Sequence, residues 1–323
     1  MPTVPLLVWH FDLRVPLVLD IFSHQRLISF NLSVPEPNLS IPLSMVEDAV
    51  DDMYEGCTTP MIDRVKNKYM KTENVGMFAD VWKNASICAK EGLAKKYRED
   101  EALTKDHLQA ICVYTSDYNG FYATFNTAVR TERKKYGTPS FPYHSLHFLL
   151  TSAINILKTS QNYCHVTYRR ADVIFTGEVN QKIRFGNFAS SSYRTDLRDF
   201  GKKTCFEIRT CLGAYLRNYS VFSDQEQEVL IPPYEVFKIA KITKGPKDAF
   251  DKGLNDCVVL YSLTSEGFQS NLNCRAAGFA INWKKSAPIP CQQAVYLGGQ
   301  LNSATLRACL SEPRQTEVEA VRQ

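Results

Sequence analysis

Two carboxylates, Glu226 and Glu228, stand two residues apart just before Val229, Leu230 and Ile231, a short apolar run closed by Pro232 and Pro233. In an extended segment, residues i and i+2 point to the same side. The spacing therefore sets both carboxylates on one face of a strand, close together. Like charges that close are costly unless something uses or neutralises them. Carboxylate pairs serve glycosyl chemistry, but two on one short strand are a poor match for groups that must flank a sugar from two sides. An isolated pair of this kind is most often a solvated acidic loop.

Three other segments change that balance. Cys164 to Arg169 reads as a buried strand that delivers an arginine. Arg184 to Ser192 reads as a strand that breaks into a hydroxyl-rich turn at Ser190, Ser191 and Ser192. Cys205 to Gly213 reads as a further strand with cysteines near both ends. Each has an ordinary structural explanation when taken singly: a strand arginine pairs or snorkels, and a serine run makes a turn or cap.

The elements that must position these residues divide the chain in two. Helical periodicity begins at Met45, where Met45, Val46, Ala49, Val50 and Met53 recur at spacings of three and four. A second helical stretch covers Gly76 to Lys95. A third starts at Thr104, a candidate N-cap. A fourth covers Tyr118 to Lys135. In Ser145 to Thr159 the stripe Leu146, Leu149, Leu150, Ala153, Ile154 and Leu157 reads as core. After Ser160, short β-rich runs follow, near 164–168, 183–188, 204–208, 227–231, 235–243, 257–263 and 275–283. Helices first and strands later make an α+β chain rather than alternating βαβ units. There is no repeat and no GxGxxG fingerprint, so a dinucleotide-binding Rossmann fold has no support.

Of 323 residues, 44% are hydrophobic and 22% charged, enough for a globular core. The net charge of +4 is too weak to argue for nucleic acid. Ten cysteines are dispersed, with no CxxC pair and no grouping with histidine, which speaks against zinc and for disulfides in an oxidising compartment. Sequons at Asn31, Asn38, Asn84 and Asn218 agree with glycosylation and secretion. Residues 1–40 show no clean signal peptide, and the charged segment after Leu310 does not support a lipid anchor. No run of about 18 apolar residues exists, so no membrane span is expected.

In this order and spacing, the three segments resemble the arginine-specific mono-ADP-ribosyltransferases of vertebrates, the ecto-enzyme family related to several bacterial toxins. The family pattern is an arginine on a first strand, an S-x-S on a second and an E-x-E before a third. Here these are Tyr168-Arg169, Ser190-Ser191-Ser192 and Glu226-Gln227-Glu228. Val229 to Phe237, Phe206 to Ile208, Thr210 to Gly213, Asp51 to Cys57 and His107 to Thr115 are similar too, so the likeness runs over roughly residues 45 to 275.

The resemblance implies an α+β fold, a helical N-terminal part packed on a two-sheet, mostly antiparallel β core. A catalytic domain at 45–283 would be flanked by variable segments 1–44 and 284–323. It implies transfer of ADP-ribose from NAD⁺ or NADP⁺ to arginine, on target proteins or small guanidines. No metal is implied, since nicotinamide already leaves from a cationic nitrogen. The chain is expected as a monomer, extracellular or secreted.

Residue by residue, the resemblance makes Glu228 the catalytic carboxylate. Glu226 holds the acceptor arginine, Arg169 binds the NAD⁺ pyrophosphate, and Ser190 supports Glu228 and the nicotinamide ribose. Ser192 belongs to the NAD-binding set. Phe200 lies in the loop that packs an aromatic ring against nicotinamide, and Phe222 in the loop that meets the target. The implied disulfides are Cys57–Cys274 and Cys164–Cys211. The second closes a loop worth roughly 4 kcal/mol in the chain-entropy model. The pairing of the other six cysteines stays open. Arg170 departs from the family pattern, which has glycine there. Beside the transferase stand two other readings: an NAD⁺ glycohydrolase, and a catalytically inactive binding protein on the same fold.

Overall fold

A computed structural model describes residues 40–116, 118–222, 225–245 and 253–278, together with the backbone of 293–296, 299–302 and 308–310. The chain opens with strand β1 (Ser40–Pro42), then helices α1 (Thr58–Arg64), α2 (Met70–Glu73), α3 (Gly76–Asn84), α4 (Ser86–Ala94), α5 (Lys105–Thr115), α6 (Phe121–Thr131) and α7 (His144–Ser160). The strands follow: β2 (His165–Ala171), β3 (Ile174–Thr176), β4 (Lys182–Ile183), β5 (Ala189–Ser192), β6 (Thr204–Thr210), β7 (Ala214–Tyr215), β8 (Glu228–Ile231), β9 (Glu235–Lys244) and β10 (Val259–Phe268). Strands β11 (Gln293–Tyr296), β12 (Gly299–Asn302) and β13 (Ala308–Leu310) form a separate antiparallel sheet.

The α+β order read from the sequence is what the chain adopts. The main sheet runs β4-β9-β10-β6-β2-β5-β8-β7. Its ladders are antiparallel except β10 against β6, which is parallel. The two expected sheets are joined into one hydrogen-bonded run by a narrow seam, since β2 and β5 share the single pair Tyr168↔Ser192. Two cores lie against this sheet. Phe188, Ala214 and Leu230, on or next to the β5–β8–β7 side, pack into the helical core with Tyr114, Phe125 and Leu150. Phe206, Phe237, Ile239 and Tyr261, on the other side, form a second core with Phe175 and Phe185. Strands β5 and β8 feed both cores through opposite faces, since Ala189 and Ile231 pack into the second one.

Helix α5 sits at the centre of the helical part. Every residue from His107 to Thr115 is buried, as expected of a helix covered on all sides. Thr104 caps it in a reciprocal capping box with His107. In α7 the stripe from Leu146 to Leu157 is buried as its spacing requires.

Four local expectations fail for tertiary reasons. Residues 45–53 are not helical. The Arg184 guanidinium instead takes the carbonyls of Met45 (2.7 Å) and Val46 (3.2 Å) and the Asp51 carboxylate (2.7 Å), so those backbone groups are used outside any helix. Residues 184–188 are not a strand, because Gly186 sits at φ +72° against Val46. Conversely, Ser190 to Ser192 are strand rather than turn, since β8 pairs with all of β5 from Ala189↔Ile231 to Ser192↔Glu228. Residues 275–278 form turns, and 279–283 lie outside the described residues.

Candidate active site

Three adjacent strands bring the sequence-selected residues together. Arg169 comes from β2, Ser190 from β5 and Glu228 from the start of β8. Strand β8 is buried along its length and stops at Pro232 and Pro233, which cannot donate to a ladder. Arg169 Nη1 donates to the Ser190 carbonyl, across the seam between the two halves of the sheet. The Ser190 hydroxyl hydrogen-bonds to the Glu228 carboxylate and also reaches Tyr114.

Glu228 is 4% exposed. Burial pushes its carboxyl up to about 7; Glu226 adds to that rise, while the Ser190 hydrogen bond and the Arg169 charge oppose it. Glu226 is half-buried, and burial raises it as well, against the charge of Arg194.

The two glutamates are not brought together by strand alternation, which corrects the extended reading of this segment. Strand β8 begins at Glu228, and Gln227 before it takes the left-handed φ of 47°. Glu226 therefore rides on a turn. That turn is held by Ser192, whose hydroxyl donates to the Glu226 carbonyl and accepts from the Arg194 amide at 2.9 Å. Arg194 Nη1 donates to the Gln225 carbonyl at 2.6 Å, while its guanidinium pairs with Asp196 at 2.9 and 2.8 Å.

Phe200 is half-buried in a 3₁₀ turn, Arg198–Phe200, on the connection between β5 and β6. Phe222 is half-buried too, and its carbonyl accepts from the Gln225 amide at 3.1 Å, closing the approach to the Glu226 turn. Asn84 is exposed at the end of α3, whereas Asn218 is half-buried in the turn Arg217–Tyr219; Asn31 and Asn38 lie outside the described residues.

Cys57 is bonded to Cys274 and Cys164 to Cys211, the two pairings that the resemblance implies. Cys88–Cys112 and Cys205–Cys257 are added by the structure. Cys164–Cys211 ties the start of the Arg169 strand to the end of β6. Cys291 lies outside the described residues.

Sequence reasoning missed the support behind Ser190. Tyr114 Oη donates to the Phe188 carbonyl at 2.8 Å and accepts from Asn126 Nδ2 at 3.3 Å. Glu235, wholly buried, accepts from Thr210 Oγ1 (2.5 Å), the Cys211 amide (2.7 Å) and Ser265 Oγ (2.6 Å), which fixes the turn after β6. Neither residue carries a spacing signal; both are recognised only by what the fold places against them.

The chain matches known proteins over most of its length. The family model described as NAD:arginine ADP-ribosyltransferase covers residues 43–251. Ecto-ADP-ribosyltransferase 5 of Mus musculus is 32% identical over 256 residues, 74% of this chain and 77% of that protein. Erythroblast NAD(P)(+)–arginine ADP-ribosyltransferase of Gallus gallus is 29% identical over 269 residues, 79% of this chain and 85% of that protein. The crystal structure of the eukaryotic mono-ADP-ribosyltransferase ART2.2 superposes with a TM-score of 0.59 at 28% identity, over 72% of this chain and 98% of that one. Mutants of that enzyme have been solved in complex with NADH and with NAD.

Proposed function

We propose that this chain, which belongs to the NAD:arginine ADP-ribosyltransferase family, moves ADP-ribose from NAD⁺ or NADP⁺ to the guanidinium of arginine on target proteins or small guanidines. The observation that carries the reading is the buried Glu228 carboxylate, held by Ser190 and facing the charge of Arg169.

In this reaction the bond between C1′ of the ribose and the nicotinamide nitrogen breaks. Its electron pair leaves with nicotinamide, which becomes neutral. Positive charge develops on the ribose as an oxocarbenium-like state. Glu228, ionised, stabilises that charge; in a buried site such an interaction is stronger than in water. A guanidinium nitrogen then bonds to C1′ and gives up a proton. Glu226 orients the guanidinium and favours the proton's departure, since arginine is otherwise fully protonated.

Arg169 offers the NAD⁺ pyrophosphate a planar fork suited to its oxygens. Ser190 positions Glu228 and the nicotinamide ribose, and Ser192 holds the Glu226 turn at the edge of the NAD-binding set. Phe200 meets the nicotinamide, and Phe222 meets the target. We assign the catalytic domain to residues 45–283. Four disulfides among the described residues, and relatives named as ecto-enzymes, support the secretory pathway and an extracellular setting. No helix among the described residues is long and apolar enough to cross a membrane.

The test is labelled NAD⁺ with agmatine, a small guanidine. The wild type should label agmatine, Glu226→Gln should only hydrolyse NAD⁺, and Glu228→Gln should do neither. A folded, disulfide-bonded wild type that consumes no NAD⁺ sinks the enzyme reading in favour of a binding protein. Hydrolysis without transfer by the wild type would leave a glycohydrolase.

A further inference from the structure

Arg170, the residue that departs from the family pattern, neither crowds Arg169 nor reaches solvent. Neighbours on a strand face opposite sides, and the Arg170 side chain is 2% exposed. Its Nε and Nη2 donate to the Thr195 carbonyl at 2.9 and 2.7 Å. Nη1 donates to the Gly201 carbonyl and Nη2 to the Gly253 carbonyl, both at 3.4 Å. Nη2 also pairs with Asp256 Oδ1 at 3.0 Å.

The topology explains what this clasp holds. Strands β5 and β6 flank β2 on its two sides, and both run antiparallel to it. They are therefore parallel to each other, so the connection 193–203 has to cross over β2. Thr195 and Gly201 bracket the turn that ends at Phe200. At Gly201 the connection lies flush on β2, where an added Cβ would come within 2.3 Å of the Asp172 amide nitrogen. Asp256 also pairs with Arg198 at 3.4 Å, inside the same connection, and Cys205–Cys257 ties the neighbouring segment to β6.

We propose that Arg170 is a positioning residue that fixes this crossing segment, and through it Phe200, at the nicotinamide end of the NAD⁺ cleft. The proposal rests on the reading above, in which Phe200 meets the nicotinamide. A buried guanidinium with its donors aimed at carbonyls has a planar fork that lysine cannot reproduce. The conservative change is therefore informative.

The experiment measures NAD⁺ consumption with agmatine by the disulfide-intact full chain, for Arg170→Lys, Phe200→Ala and the double variant. Arg170→Lys is expected to raise KM for NAD⁺ about tenfold while KM for agmatine stays within about twofold. If Arg170 acts through Phe200, the double variant is no worse than the poorer single one. An unchanged KM for NAD⁺, or effects that multiply in the double variant, would overturn the proposal. Should Arg170→Lys not fold, Asp256→Ala removes one partner of the clasp and is expected to raise the same KM by about twofold to threefold; no rise there overturns it equally. Trypsin supplies a readout independent of catalysis. Arg194, Arg198 and Lys202 lie on the crossing segment, and the variant should be cut there faster than the wild type. If the wild type consumes no NAD⁺, the activity reading falls and takes the Phe200 role with it. Equal cleavage of variant and wild type defeats the clasp itself.

Discussion

The Ser190 hydroxyl reaches the Glu228 carboxylate diagonally across the β5–β8 ladder, two positions from Ser192, the residue directly opposite Glu228. Diagonal neighbours on paired strands lie within reach of longer side chains. That hydrogen bond lowers the Glu228 pKa against the burial that raises it. Ser190→Ala should cut kcat about tenfold to a hundredfold. It should also move the acidic limb of the pH profile of kcat/KM to higher pH. A variant with reduced kcat and an unmoved limb would show that the serine does not act through Glu228.

Glu228 in the free protein sits at about 7. The ionised form is the one that stabilises positive charge, so kcat/KM for NAD⁺ should fall as pH drops below about 7. Stability follows the opposite sign. A carboxyl raised in the folded state binds more protons folded than unfolded between about pH 4.5 and 7, so the fold loses stability as pH rises through that window. Glu228→Gln removes the penalty and should stabilise on the order of 1–3 kcal/mol at pH 8, but not at pH 4. Denaturant midpoints at the two pH values check this.

Tyr114 links helix α5 to the strand that carries Ser190. Tyr114→Phe leaves the buried Phe188 carbonyl and Asn126 amide without that partner. The expected cost is about 2 kcal/mol, or roughly 4–8 °C in Tm. Loss of NAD⁺ turnover beyond what unfolding explains would show that Ser190 has moved as well.

Arg184 and Asp51 form an ion pair at 2.7 Å with side chains 0% and 1% exposed. Asp51 also accepts from the Asn271 amide at 2.9 Å and the Leu272 amide at 3.1 Å. Removing one partner of a buried pair leaves a buried charge uncompensated. Asp51→Asn is expected to destabilise by about 3–5 kcal/mol in chemical denaturation. A loss under about 1 kcal/mol would mean the guanidinium is satisfied by its carbonyls alone.

Cys164–Cys211 closes a loop with a sequence separation of 47. Replacing both cysteines by serine should cost roughly 4 kcal/mol. Because β2 carries Arg169, KM for NAD⁺ should rise before the fold is lost. An unchanged KM in a folded, destabilised variant would confine the bond to a stabilising role.

Residue types, order and spacing were enough to bring out the resemblance to the family. Arg169, the serines at 190–192 and the glutamates at 226 and 228 stand out because an arginine, a hydroxyl run and a carboxylate pair each precede or sit on a recognisable apolar strand. The order of helices before strands was equally legible, and so were the Thr104 cap and the α7 stripe, because these depend on neighbours within a few residues. What only the tertiary structure decided involves partners far apart in the chain. Met45 to Met53 has helical periodicity, but Arg184, more than a hundred residues away, takes its carbonyls. Ser190 to Ser192 have turn chemistry, but pairing with β8 makes them strand. The E-x-E spacing suggested alternation along a strand, and a left-handed Gln227 breaks it. At Arg170 the sequence showed only a departure from the family's glycine, and the fold buries its guanidinium against carbonyls of the 193–203 connection and of the segment at Gly253 and Asp256. Local propensities differ by about 1 kcal/mol or less per residue, and satisfying a buried guanidinium or completing a ladder outweighs them.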